Sequence, residues 1–131
     1  MIPKNLEEAV RKSWGRDTCY PPSANNWTPE NPAFGQCAVT ALAVRDYVGG
    51  QILNCKSLHH YYNLLDDGTI VDLTESQFPK GTLVQSDGIA NDFNLLYNES
   101  AVKAETERRY KILKRRVEEN LACASPNPLY P

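Results

Sequence analysis

The stretch HHYYNLLDDGTIVDLT (residues 59–74) predicts the centre of the fold, a β-hairpin. Two runs rich in β-branched and aromatic residues flank a short loop that ends in glycine. If residues 66–68 (DDG) form a three-residue loop, the glycine takes the left-handed position that such a loop requires, and Leu65 pairs with Thr69. We therefore expect two antiparallel strands joined by a tight turn.

The register of this hairpin decides which of two adjacent histidines shares a face with Asp72. Side chains alternate between the faces of a strand, so the three-residue loop places His60 and Asp72 on one face as diagonal neighbours. A two-residue turn would shift the register by one and place Asp72 on the face of His59. The three-residue loop is favoured because it has glycine where a left-handed residue is needed.

A second segment, NPAFGQCAVTALAVRDYVGG (31–50), predicts a helix from about Phe34 to Val48, with Cys37 in its first turn. The helix dipole and the unpaired N–H groups at such a position favour a thiolate. The same N–H groups, with the Gln36 amide, would stabilise an oxyanion. The alternative is a small apolar residue that packs in the core, since free cysteine is among the most buried residue types.

The whole chain of 131 residues is predicted to form one α+β domain, in which helices pack on a small antiparallel sheet and the Cys37 helix lies against the hairpin. The long, proline-rich loop at 16–35 contains Trp27, which is predicted to form a wall of a substrate site. The other predicted elements are a helix from Asn5, capped through Glu8, to about Gly15, strands at 51–56 and 81–86, a last helix from Ser100, and an extended tail at 126–131.

The composition is that of an ordinary globular protein, with 41% hydrophobic and 23% charged residues. The net charge of −2 provides no general attraction to nucleic acids or anionic membranes. No apolar run approaches the ~20 residues that span a bilayer, and the first residues lack the apolar stretch of a signal peptide. We therefore expect a cytoplasmic protein whose four cysteines are reduced thiols.

Two other kinds of site are less well supported. Cys19, Cys37, Cys55 and His59 do not show the CxxC or HxxxH spacing of a zinc site, so no metal is expected. The run RRYKILKRR (108–116) has six basic residues, but glutamates flank it on both sides. A solvated helix face is the favoured interpretation, and binding of RNA or DNA is the weaker one.

Several motifs, in this order, resemble the YunG-like family of small, largely uncharacterised bacterial proteins. They are SWGRDTCYPP (13–22), WTPENPAFGQCAVTAL (27–42), VRDYVGGQIL (44–53), HYYNLLDDGTIVDLTESQF (60–78) and RYKILKRRVEENL (109–121). The family pattern contains Cys37, His60 and Asp72 but not His59, in agreement with the register argument. Tyr62 stands where the family is associated with Trp. The other matches are Gly35, Gln36, Thr40, Tyr61, Asn63, Leu73, Thr74, Gln77 and Phe78.

A cysteine at a helix start, followed by histidine and aspartate on neighbouring strands, is similar at the level of fold to papain-like and transglutaminase-like cysteine enzymes. The resemblance to the YunG-like family itself implies little about the reaction, whereas the three residues together predict hydrolysis or acyl transfer at an amide or ester of a peptide or small molecule. Cys37 is then the nucleophile, His60 the general base and later acid, and Asp72 the residue that orients the ring.

The predicted oxyanion-binding and substrate-binding residues are Gln36, Trp27, Tyr62 and Asn63. This chemistry needs no cofactor. The rival hypothesis is a binding or regulatory protein without catalytic activity, in which Cys37 belongs to the core and His60 with Asp72 forms a structural pair.

Overall fold

The structure is a computed structural model that describes residues 2–124. These residues form four α-helices and one four-stranded antiparallel sheet, an α+β architecture. The helices are α1 (Lys4–Ser13), α2 (Cys37–Val48), α3 (Glu99–Lys103) and α4 (Thr106–Ala124). The strands are β1 (Gln51–Cys55), β2 (His60–Leu64), β3 (Ile70–Val71) and β4 (Ile89–Ala90). Their order in the sheet is β3-β2-β1-β4.

The hairpin has the predicted three-residue loop and register. Leu64 pairs with Ile70, and the amide of Leu65 donates to the carbonyl of Thr69 at 2.8 Å. Gly68 adopts the left-handed conformation with φ 88°. The ladder is shorter than the sequence suggested, because β3 ends at Val71.

One face of the sheet packs on the helices. The Asn63 side chain on this face donates from Nδ2 to the carbonyl of Ala41 in α2 at 3.0 Å and so ties the helix to β2. The apolar stripes of α1 and α4 close the core around α2. The buried residues of this core include Leu6, Val10, Trp14, Val39, Val44, Val71, Leu113 and Val117.

The opposite face of the sheet is covered by the irregular segment 72–88. Leu53, Cys55 and Tyr62 form a small cluster there, against which Val84 packs. The predicted strand at 81–86 is wrong. The residues that pair with the free edge of β1 come later in the chain, after residue 86. The amide of Asn54 donates to the carbonyl of Gly88, and the strand is β4 at Ile89–Ala90.

Three helix boundaries differ from the predictions. The capping box of Asn5 and Glu8 is wrong, since Pro3 occupies the N-cap and no side chain caps α1. The last helix is two helices, separated at Glu105 with φ 54°. Helix α2 begins at Cys37, three residues later than predicted. The predicted tail at 126–131 lies outside the described residues.

Candidate active site

Cys37 is the first residue of α2 because the preceding chain cannot be helical. Gly35 has φ +71°, and its carbonyl accepts from the amide of Tyr20 at 2.9 Å. Helical hydrogen bonding starts with Thr40, whose amide donates to the carbonyl of Gln36 at 3.0 Å. Cys37 therefore lies in the first turn, where backbone N–H groups have no intrahelical acceptor. Its half-buried thiol lies with Sγ 3.8 Å from the carbonyl oxygen of His59.

His60 is held rigidly at the start of β2. The left-handed conformation of His59 (φ 49°, ψ 45°) turns the chain into the strand. The fully buried His60 ring stacks on Tyr62, with centroids 5.6 Å apart, and meets the edge of Phe78 at 4.8 Å. Its Nε2 lies 2.7 Å from Oδ2 of Asp72, the residue predicted to share its face. Aromatic packing and one charged hydrogen bond thus fix the ring.

The environment of His60 favours the imidazolium. Burial lowers the pKa of the ring, but the hydrogen bond to the Asp72 carboxylate and the nearby Cys37 side chain raise it more, and the pKa becomes about 9. The other ring nitrogen, Nδ1, is buried and makes no hydrogen bond with any of residues 2–124. His60 is therefore charged at neutral pH and has one nitrogen still available for the Cys37 side of the site.

The raised pKa of His60 predicts a loss of stability in mild alkali. The folded protein holds the proton up to about pH 9, whereas the ordinary pKa in the unfolded chain is 6.5. The stabilisation is therefore complete below pH 6.5 and disappears as the pH rises through 9. We expect the free energy of unfolding to fall by about 3 kcal/mol across this range.

Urea denaturation at half-unit pH steps measures this loss. The Asp72→Asn variant, which lacks the carboxylate, should show a clearly shallower slope between pH 6.5 and 9. If the free energy of unfolding falls equally steeply with pH in the two proteins, His60 and Asp72 do not form a charged pair.

The Cys37 thiol opens onto a cleft of about 600 Å³. One wall comes from the long loop at 16–35, through Tyr20 and Phe34. Tyr61 of β2 and the amide side chains of Asn94 and Asn98 line other parts of it. The cleft thus combines aromatic walls with polar residues and the buried Arg109 next to a cysteine. Concave sites of mixed apolar and polar lining are typical of small-molecule binding.

Gln36, the residue predicted to bind the oxyanion, does not line the cleft. Its side chain is 0% exposed, and its Nε2 donates to the carbonyl of Gly15 at 2.9 Å. This hydrogen bond ties the start of α2 to the chain after α1 and turns the amide nitrogen away from the cleft. The sequence could not reveal this, because Gly15 lies 21 residues away.

The three predicted substrate-binding residues have structural positions outside the cleft lining. The Trp27 indole donates to the carbonyl of Pro32 at 3.0 Å and braces its own loop. Tyr62 is 6% exposed and supports the His60 ring, and Asn63 is 2% exposed and holds α2. In this structure the three side chains support the elements around the site.

Sequence reasoning missed Gln77 as a member of the site. It ends the 3-10 turn Glu75–Gln77, lines the cleft together with Cys37, and accepts at Oε1 from the amide of Gly35 at 3.3 Å. The only signal in the sequence was its place in the motif D-G-x-x-x-D-L-T-x-x-Q-F. No spacing rule connects it to a cysteine 40 residues earlier in the chain.

The basic run of α4 is largely engaged within the protein. Arg109 is buried and donates to the carbonyls of Thr18 and Ala104. Four others form ion pairs with acidic residues: Arg108 with Glu105, Lys111 with Glu107, Lys114 with Asp46 and Arg116 with Asp17. These pairs reduce the positive charge that this helix presents.

Among residues 2–124, no three His, Cys, Asp or Glu side chains group closely enough to hold a metal ion. Within the same range, every helix is too short or too polar to cross a bilayer.

Comparison with known proteins identifies the family. A family model described as "YunG protein" matches residues 2–122. The chain belongs to the YunG family. A curated relative, "Uncharacterized protein YunG" of Bacillus subtilis (strain 168), is 35% identical to this YunG-family chain over 77 residues. The match spans 57% of this chain and 62% of the relative, and no solved structure matches.

Proposed function

We propose that this YunG-family protein is a cysteine-dependent hydrolase or acyltransferase that acts on an amide or ester. Cys37 is the nucleophile, His60 the acid and base, and Asp72 the residue that orients and charges the ring. The observation that carries the proposal is the 2.7 Å hydrogen bond from buried His60 to Asp72, with Cys37 Sγ 3.8 Å from the carbonyl oxygen of the preceding residue, His59. A helix-start cysteine followed by histidine and aspartate is the papain-like or transglutaminase-like arrangement.

The charge state of His60 defines the first step. An imidazolium beside a cysteine stabilises the thiolate form. The Cys37 sulfur attacks the carbonyl carbon, a C–S bond forms, and the electron pair of the C=O bond moves to oxygen. Collapse of this tetrahedral intermediate breaks the bond to the leaving group, which takes the proton from His60. Water, or an acceptor amine or alcohol, then loses a proton to His60 and releases the acyl group from sulfur.

The position of Cys37 favours catalysis over the rival hypothesis of a binding protein. A packing cysteine is expected in the apolar interior, as Cys19 is, with 1% exposure. Cys37 instead borders the cleft and has a charged histidine beside it. The α2 residues that do pack in the core lie farther along the helix, at Val39 and Val44.

The test is site-resolved alkylation of the folded protein with iodoacetamide, read by mass spectrometry. At pH 6 an ordinary thiol, with a pKa of about 8.5, reacts slowly, whereas a thiolate paired with imidazolium reacts fast. We expect Cys37 to be labelled more than about tenfold faster than the exposed Cys123, which serves as the internal control. His60→Ala should abolish this preference.

Buried Cys19 and Cys55 report on the fold in the same samples, because they should remain unlabelled until the protein unfolds. If Cys37 also stays unlabelled until unfolding, the proposed function is wrong. If Cys37 and Cys123 react at equal rates, Cys37 is an ordinary thiol and the catalytic role is again excluded.

A further inference from the structure

Three buried side-chain atoms among residues 2–124 have no hydrogen-bond partner: Oε1 of Gln36, Nδ1 of His60 and Nε2 of Gln77. All three belong to residues that surround Cys37. Gln36 precedes it, His60 is the proposed acid and base, and Gln77 binds the backbone two residues before it. Buried polar groups are almost always satisfied in folded proteins, so such a concentration at one site calls for a function.

The orientation of the Gln77 amide is set by its contact with the backbone. Its Oε1 accepts from the Gly35 amide, and only an oxygen can accept there. Nε2 is therefore the unpartnered end, and it carries two N–H donors. Only glycine fits at position 35, because the Cβ of any other residue would lie 2.4 Å from Sγ of Cys19.

The residue that carries this donor belongs to the cleft. Gln77 and Cys37 both line it, and the contact with Gly35 holds Gln77 next to the start of α2. A carbonyl group attacked by the Cys37 sulfur would thus have its oxygen near two kinds of donor, the N–H groups of the first helical turn and the Gln77 amide. Gln36 is 0% exposed and does not line this cleft.

We propose that Gln77 is a catalytic residue whose Nε2 donates a hydrogen bond to the oxyanion of the tetrahedral intermediate. This inference rests on the proposed function and adds the group that stabilises the developing charge. The desolvated, unpartnered donor requires no rearrangement of water when the negative charge appears on the carbonyl oxygen. Loss of one such donor lowers the rate of the chemical step by about 10²–10³-fold in enzymes that use an oxyanion hole.

The experiment compares two reactions of the same sulfur. Acylation by p-nitrophenyl acetate passes through a tetrahedral oxyanion, whereas alkylation by iodoacetamide is a displacement at a saturated carbon and forms none. We expect Gln77→Glu and Gln77→Met to lower the acylation rate of Cys37 by about 10²-fold or more. The ratio of acylation to alkylation should fall by a similar factor in both variants.

The two variants separate the donor from other effects. Gln77→Glu keeps an oxygen for the Gly35 amide but removes the donor and adds charge, whereas Gln77→Met removes the donor without charge. Gln85→Glu, at an exposed position on the same segment, is the matched control and should leave the ratio unchanged.

A ratio that stays within threefold of wild type in either Gln77 variant overturns the role of Gln77 and leaves the proposed function intact. Wild-type Cys37 that reacts with neither reagent in the folded protein overturns both.

Discussion

Asp72→Asn is expected to lower the hydrolysis of p-nitrophenyl acetate at pH 7 by about 10³-fold under the proposed mechanism. The side chain keeps its size, but the carboxylate that accepts from His60 Nε2 at 2.7 Å becomes a neutral amide. The ring then loses the main interaction that holds its pKa at about 9. Without the carboxylate, the imidazolium that accompanies the thiolate and later protonates the leaving group is no longer favoured.

Two measurements distinguish this effect from a general loss of structure. The NMR titration of His60 should show its pKa moving down from about 9, and the far-UV circular dichroism should remain that of wild type. Asp66→Asn, in the exposed hairpin loop, is the matched control and should retain full activity. Wild-type activity in Asp72→Asn would rule out Asp72 as the partner of the catalytic histidine.

Gly50→Ala is expected to cost more than about 3 kcal/mol of unfolding free energy, or to prevent folding. Gly50 follows α2 and precedes β1, with φ +83°. A Cβ there would lie 2.3 Å from the carbonyl oxygen of Leu64 and 2.9 Å from Cα of Leu65. Both contacts are with backbone, which no rotamer change can relieve, so the close approach of the α2–β1 turn to the end of β2 would be lost.

Gly68→Ala provides the comparison, because φ there is +88° but nothing lies within 4 Å of the added carbon. It should cost about 1 kcal/mol, the strain of a left-handed alanine alone. Urea denaturation, fitted with one m-value for both variants, measures the difference between their free energies of unfolding. Equal losses would mean that Leu64 and Leu65 do not approach Gly50 as described.

The local pattern of the hairpin was sufficient to predict its central contact. The glycine in the 66–68 loop fixed the register, and the register put His60 and Asp72 on one face. The end of α2 was also predictable, because the Gly49–Gly50 pair stops the helix after Val48. These signals act over a few residues, where backbone conformation follows directly from residue type.

Local patterns could not predict which elements pack on each face of the sheet. Helix α2 packs on the face of Asn63, whereas His60 and Tyr62 lie on the opposite face beneath the irregular segment 72–88. Cys37 lies at the start of β2, where its Sγ is 3.8 Å from the carbonyl oxygen of His59. This position depends on how α2 is placed along the sheet, and no local sequence pattern determines that placement.

The sequence alone determined the family, the α+β class, and the pairing of His60 with Asp72, because these follow from motif order, periodicity and turn chemistry. The tertiary structure decided which polar residues line the cleft. Gln36 and Gln77 are both amides near Cys37, yet Gln36 is tied to Gly15 while Gln77 lines the cleft and keeps a free donor. Whether an amide donor is paired or free depends on hydrogen bonds between segments that are distant in the sequence, and these form only once the chain has packed.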